Sequence, residues 1–187
     1  MTIKFQTLLK ENEKFSEKFF SQFHKGRILY FSQLSDGNLI STSTDKTIKI
    51  VNPNTKEVIA TLTDHKDWVW KVIELKDKLI SISWDNTLKI WKKENNNYVV
   101  ENTIEIKGNP FDIISLNNDE FDVAVCVDED KSLRFINLSN KNEIKIENVV
   151  VNVEKFDEIM CIDKNVLLVA AKNNLYLIDI KTNSNFM

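Results

Sequence analysis

Histidine and cysteine, the side chains that most often build metal and nucleophile sites, are scarce here: two of each in 187 residues. Cys126 and Cys161 stand alone in apolar segments without the close spacing of a metal or redox pair, and read as buried, reduced thiols acting as small apolar residues. There are three glycines and no glycine-rich stretch to cradle a phosphate. Neither a cofactor nor a metal is implied, and no catalytic residue is expected. A formal charge of −3, with lysines and acids interspersed, provides no basic field for a phosphate backbone, so nucleic acid is not an expected partner. No apolar run reaches the length of a membrane helix, and the opening MTIKFQTLLKENEK lacks the apolar core of a signal peptide. The expectation is a soluble intracellular protein, cytoplasmic or nuclear, with no membrane partner. On that footing the sequon Asn137-Leu138-Ser139 is a chance match.

What the sequence does have is a repeat. ISTSTDKTIKIV (Ile40 to Val51) and ISISWDNTLKIW (Ile80 to Trp91) match position for position in residue type, with Asp45 and Asp85 forty residues apart. VCVDEDKSLRFIN places Asp130 45 residues later, and LLVAAKNNLYLID places Lys172 42 residues after that. Each unit divides into short strands separated by polar breaks. In the second, Val69 to Leu75, Leu79 to Ser83, Thr87 to Trp91 and Tyr98 to Ile106 are joined by KDK, WDN and KKENNN. Loops that short join antiparallel neighbours. Near-continuous runs such as FDVAVCV and VLLVAA fit strands packed on both faces.

Four units at this period resemble the WD-repeat family, whose unit is a four-stranded blade of a β-propeller. The resemblance implies an all-β fold of about four antiparallel blades, at 24–64, 65–107, 108–150 and 151–187, with residues 1–23 supplying outer strand(s) of a blade. It also implies a hydrogen-bonded network in each blade: a His, a Ser or Thr of the second strand, the turn Asp, and a Trp closing the third strand. His65, Ser83, Asp85 and Trp91 would be the complete set. His24, Ser43 and Asp45 would be a partial one, with Val51 where the Trp belongs. The third unit has Gly108-Asn109 and no His, and the fourth has neither, so only the second blade should be fully stapled. Ser83, His65 and Asp85 are also the residue types of a nucleophilic triad. Recurrence of the set with the repeat favours a structural role.

The fourth unit offers three strands and no clear outer one, whereas Phe15 to Phe23 precedes His24 as an outer strand should and could complete blade four. Against that simple closure, Thr2-Ile3-Lys4-Phe5 resembles Thr47-Ile48-Lys49-Ile50, as if the chain opened inside a preceding blade. Three arrangements follow: an incomplete ring finished by another copy, a partner chain or further sequence; a closed four-blade ring; or an open curved stack. Function on this reading is a non-catalytic scaffold for other proteins, with an architectural subunit completing a larger propeller as the alternative, and an enzyme or a nucleic-acid binder less favoured. The expected partner surface carries Arg27 and Trp68, each three residues after a His, and Trp84 in the turn beside Asp85, with Asp67 and Asp128 at its rim. The acidic stretches 119–122 and 128–130 read as solvated surface.

Overall fold

The computed structural model describes residues 23–95, 97–116, 119–138, 146–150, 155–180 and 184–186. Among them every regular element is a strand, and the strands form four antiparallel four-stranded sheets in chain order. The first sheet is β1 (Ile28–Gln33), β2 (Leu39–Ser43), β3 (Ile48–Val51) and β4 (Val58–Leu62). The second is β5 (Val69–Leu75), β6 (Lys78–Ser83), β7 (Thr87–Glu94) and β8 (Asn97–Glu105). The third is β9 (Pro110–Ser115), β10 (Val123–Val127), β11 (Ser132–Ile136) and β12 (Ile146–Val150). The fourth is β13 (Glu158–Asp163), β14 (Val166–Ala171), β15 (Asn174–Asp179) and β16 (Ser184–Phe186).

Alternation along each strand assigns the faces. In β6 and β7 the pairs Leu79/Trp91, Ser81/Lys89 and Ser83/Thr87 share one face, and Ile80/Ile90 and Ile82/Leu88 share the other. The first face packs on Ile40, Ile48, Ile50 and Leu62 of the first sheet. The second packs on Ile113, Val123, Val125 and Val127 of the third, whose opposite face (Ala124, Cys126, Leu133 and Phe135) meets Leu167, Val169 and Ile178 of the fourth. β10 is therefore buried at every residue, which is why its sequence does not alternate. A fully buried Val, Ile or Leu is worth about 1.5–3 kcal/mol, so these junctions hold the stack together.

The innermost strands β1, β5, β9 and β13 lie side by side and are joined by polar contacts. Lys71 Nζ sits over the Tyr30 ring at 5.2 Å and pairs with Asp112 at 2.6 Å. The other oxygen of the buried Asp112 accepts the Ile159 N–H at 3.1 Å. One side-chain chain thus links all four sheets.

Among the described residues the four sheets are not closed into a ring. The fourth sheet also has an outer strand where the sequence offered none: β16 is three residues long and pairs with Leu177 to Asp179 of β15. That edge is the one a strand from Phe15 to Phe23 was expected to complete. Residues 15–22 and the Thr2 to Phe5 segment lie outside the described residues.

Candidate functional site

Asp85 organises the turn between β6 and β7 as an acceptor. Oδ1 takes the Thr87 N–H at 3.0 Å and the Thr87 hydroxyl at 2.6 Å, while Oδ2 takes the Lys66 N–H and the His65 Nδ1–H, both at 2.8 Å. Asn86, with φ 63°, supplies the left-handed residue that closes the turn. Burial pushes the Asp85 carboxyl up, but hydrogen bonds from His65, Thr87 and Lys66 outweigh it and hold the group well below the usual carboxylate range. On the other side of the imidazole, the Ser81 hydroxyl lies 2.7 Å from Nε2 and accepts the Trp91 Nε1–H at 2.8 Å. With the proton on Nδ1, the donors run one way: Trp91 to Ser81, Ser81 to His65, His65 to Asp85. His65, Ser81 and Trp91 are all buried, and each of their polar atoms in this chain has a protein partner.

The hydroxyl on His65 is therefore that of Ser81, not Ser83. Both serines project from one face of β6, but the imidazole lies edge-on to Trp91, ring centroids 6.0 Å apart, and Trp91 pairs with Leu79 next to Ser81. Ser83 serves the turn: it donates to the Asp67 carbonyl and accepts the Asp85 N–H, each at 3.1 Å. The first sheet repeats this. His24 contacts Asp45 at 3.0 Å and Ser41, not Ser43, at 2.9 Å, while Ser43 accepts the Asp45 N–H at 3.0 Å. Burial raises the Asp45 carboxyl, and Thr47, the Lys25 N–H and His24 together bring it down to about 2. Val51 stands in the place of Trp91, so Ser41 has no indole donor. Ser41 and Ser81, and Thr47 and Thr87, are network members not among the residues expected from sequence, although each pair recurs at forty residues like the aspartates.

In the third sheet the turn is one residue longer: four residues, Asp128 to Lys131, separate the pair Val127/Ser132, against three between Ser83 and Thr87. Asp130 accepts the Ser132 hydroxyl at 2.5 Å and Arg134 Nη2 at 2.6 Å. Val125 and Ile136 occupy the register positions of Ser81 and Trp91.

At the loop end of the second sheet the aromatic residues stack. Trp84 lies on Trp68 at 4.8 Å and on Trp70 at 5.2 Å, and Trp70 meets Phe111 of the third sheet at 5.0 Å. The Trp84 N–H donates to the Trp68 carbonyl at 3.0 Å, tying turn to entry loop. Trp70 is the extra residue of a bulge in β5, unpaired between Val69/Ser83 and Lys71/Ile82. Phe111 is the matching extra residue in β9. Trp68 is 38% exposed. A hollow of about 430 Å³ beside the stack is lined by Trp84, Asn109, Phe111, Asp128 and Glu129. Arg27 is exposed just before β1, its N–H donating to the Thr44 hydroxyl at 2.9 Å, and among the described residues no hydrogen bond or cation–π contact ties its side chain to Trp68 or Trp84. Phe111 and Glu129 were not singled out from sequence; the 45-residue spacing to Asp130 was the visible sign of the longer turn. Among the described residues no group of His, Cys, Asp and Glu is placed to hold a metal ion.

The model of the WD domain, G-beta repeat, matches residues 56–92. That span runs from the outer strand of the first sheet through β7, so the sequence unit straddles two sheets. Telomerase protein component 1 of Rattus norvegicus is 29% identical over 75 residues, covering 40% of this chain and 3% of the relative. The protein of the same name from Mus musculus is 29% identical over 72 residues, 38% of this chain and 3% of its own length. Residues 56–92 thus match a WD repeat, and the four antiparallel four-stranded sheets are consistent with WD-type blades.

Proposed function

We propose that the chain is a non-catalytic scaffold that binds other proteins at the loop end of its second and third blades. The tryptophan stack carries this reading: Trp68, Trp84 and Trp70 form one rigid aromatic surface with Trp68 open to solvent, and such surface is what binding hot spots are made of. Asp128 and Glu129 rim the adjoining hollow, which suits a basic segment of the partner. Ser81, His65 and Asp85 stand in the order of a nucleophilic triad, but Ser81 is wholly buried and engaged by Trp91, which favours a structural role. The relatives are named as a protein component of telomerase, in keeping with a part that works inside an assembly. Residence in the cytoplasm or nucleus belongs to the same proposal. A protein partner should bind with a shallow salt dependence, in contrast to the steep slope that phosphate neutralisation imposes.

The test replaces Trp68 and Trp84, the exposed and the central member of the stack, separately by Ala and measures thermal melting together with capture of partners from a lysate. Loss of capture at unchanged melting supports the surface. Loss of melting temperature with capture retained assigns these residues to packing and ends the proposal.

A further inference from the structure

Every junction in the stack joins two different kinds of face. The face of one sheet that looks toward the C-terminal blade packs on the face of the next that looks back toward the N-terminal one, and this occurs at all three junctions. Among the described residues, one face of each kind is left without a neighbouring sheet, on the first sheet and on the fourth. On the first sheet, Phe31 pairs with Ser41 as Val72 pairs with Ser81 in the second. Val72 is 0% exposed and Phe31 69%. On the fourth sheet, the pairs Leu168/Leu177 and Ala170/Leu175 stand where Ala124/Phe135 and Cys126/Leu133 stand in the third. Leu133 is 0% exposed, whereas Leu175 is 66% and Leu177 41%, with Met160 at 55% beside them. Apolar side chains thus sit at positions that the same fold buries elsewhere.

The two free faces also match in charge. Lys89 of the second sheet pairs with Asp64 at 2.7 Å, and Arg134 of the third pairs with Asp130 at 2.6 Å. Lys49, at the same register position in the first sheet, has no ion pair among the described residues. On the fourth sheet Glu158 is exposed in the row Glu158/Ala170/Leu175, and it too has no ion pair among the described residues.

We propose that two copies of this chain associate head to tail, the free face of the fourth sheet of each packing on the free face of the first sheet of the other. The contact repeats the junction geometry already used within the chain, with Leu175 and Leu177 covering Phe31 and with Glu158 and Lys49 brought to the same seam. Made twice about a two-fold axis, it closes a ring of eight sheets, within the range of blade numbers that propellers adopt. It also removes two exposed apolar sheet faces of the kind that otherwise drive aggregation.

The test is the mass of the full chain in solution across a concentration series, by native mass spectrometry and sedimentation. The expected result is a species of twice 21.8 kDa. Phe31→Glu and Leu175→Glu should each weaken association by more than about tenfold while leaving monomer melting unchanged, because both side chains are exposed in the single chain. Mixing these two variants should restore a mixed pair, since one junction is then intact. Lys49→Glu and Glu158→Lys should each weaken the pair, and together restore it. A monomer at every concentration overturns the proposal. So does a dimer insensitive to either substitution, failure of the mixed variants to associate, or loss of monomer melting on Phe31→Glu and Leu175→Glu, which would show the faces covered by the chain's own residues.

Discussion

The second and third blades solve the same local problem with different chemistry. Both close their central hairpin on an aspartate, Asp85 or Asp130, followed by a left-handed residue, Asn86 or Lys131. In the second blade His65 carries the carboxylate's hydrogen bond inward to Ser81 and Trp91. In the third there is no histidine, and the Ser81 and Trp91 positions have become Val125 and Ile136. Arg134 reaches back four residues to Asp130 instead, and its Nε is buried without a hydrogen-bond partner. The hydroxyl goes with the imidazole: the third sheet lacks the imidazole and has apolar Val125 and Ile136 in place of hydroxyl and indole, whereas the first sheet keeps His24 and Ser41 and replaces only the indole, by Val51. A half-built network would leave buried donors unpaired, which costs about 1–3 kcal/mol each. The third blade avoids most of that cost by packing Val125 and Ile136 with the apolar face of the second.

The largest test of this contrast is truncation of the indole. Trp91→Ala should cost about 3–5 kcal/mol in denaturant unfolding, as for other buried aromatic side chains, and an unchanged midpoint would remove Trp91 from the network. Next come the two turn carboxylates. Asp85→Ala strands His65, Thr87 and the Lys66 N–H and should cost roughly 1–3 kcal/mol. Asp130→Ala also strands buried donors, on Arg134 and Ser132, but the Asp130 side chain is 51% exposed and water can enter in its place, so the loss should be the smaller one, about 1 kcal/mol. Equal losses would mean that the arginine clasp does the work of the imidazole.

A smaller effect is expected on acidification. Asp45 and Asp85 are both held below their unfolded values, so the unfolded chain takes up protons first as pH falls. Their stabilisation is fully present above about pH 4, the ordinary carboxylate value. For Asp45 it is lost as pH drops through about 2. A plot of stability against pH should therefore slope downward on the acid side, and it should flatten when Asp45 and Asp85 are changed to Asn. An unaltered slope in that double variant would place the acid-sensitive groups elsewhere.

The first two strands of the second blade were legible in sequence to within a residue, because alternation, β-branched residues and short polar breaks agree there, and the fourth was displaced by one residue; the third runs on to Glu94, three residues into the expected KKENNN break. The choice between Ser81 and Ser83 was not. Two serines on one face of one strand satisfy the same period, and only the path of the entry loop, which lays His65 beside Trp91, selects between them. Trp68 and Trp84 stand out in any reading as large aromatics near a polar turn, but their stacking through Trp70 depends on the β5 bulge, which has no signature in the residue pattern. The outer strand β16 is too short to announce itself.

The Ser81 hydroxyl is the joint between indole and imidazole, and a double-mutant cycle between Ser81→Ala and Trp91→Phe measures that joint directly. Trp91→Phe removes the N–H while keeping an aromatic ring in place. Contacting members of one network couple by about 0.5–3 kcal/mol, and the cycle should return a coupling within that range, with Ser83→Ala in place of Ser81→Ala returning none. Additivity of Ser81→Ala and Trp91→Phe to within about 0.3–0.5 kcal/mol, or a coupling that appears with Ser83 instead, would contradict it.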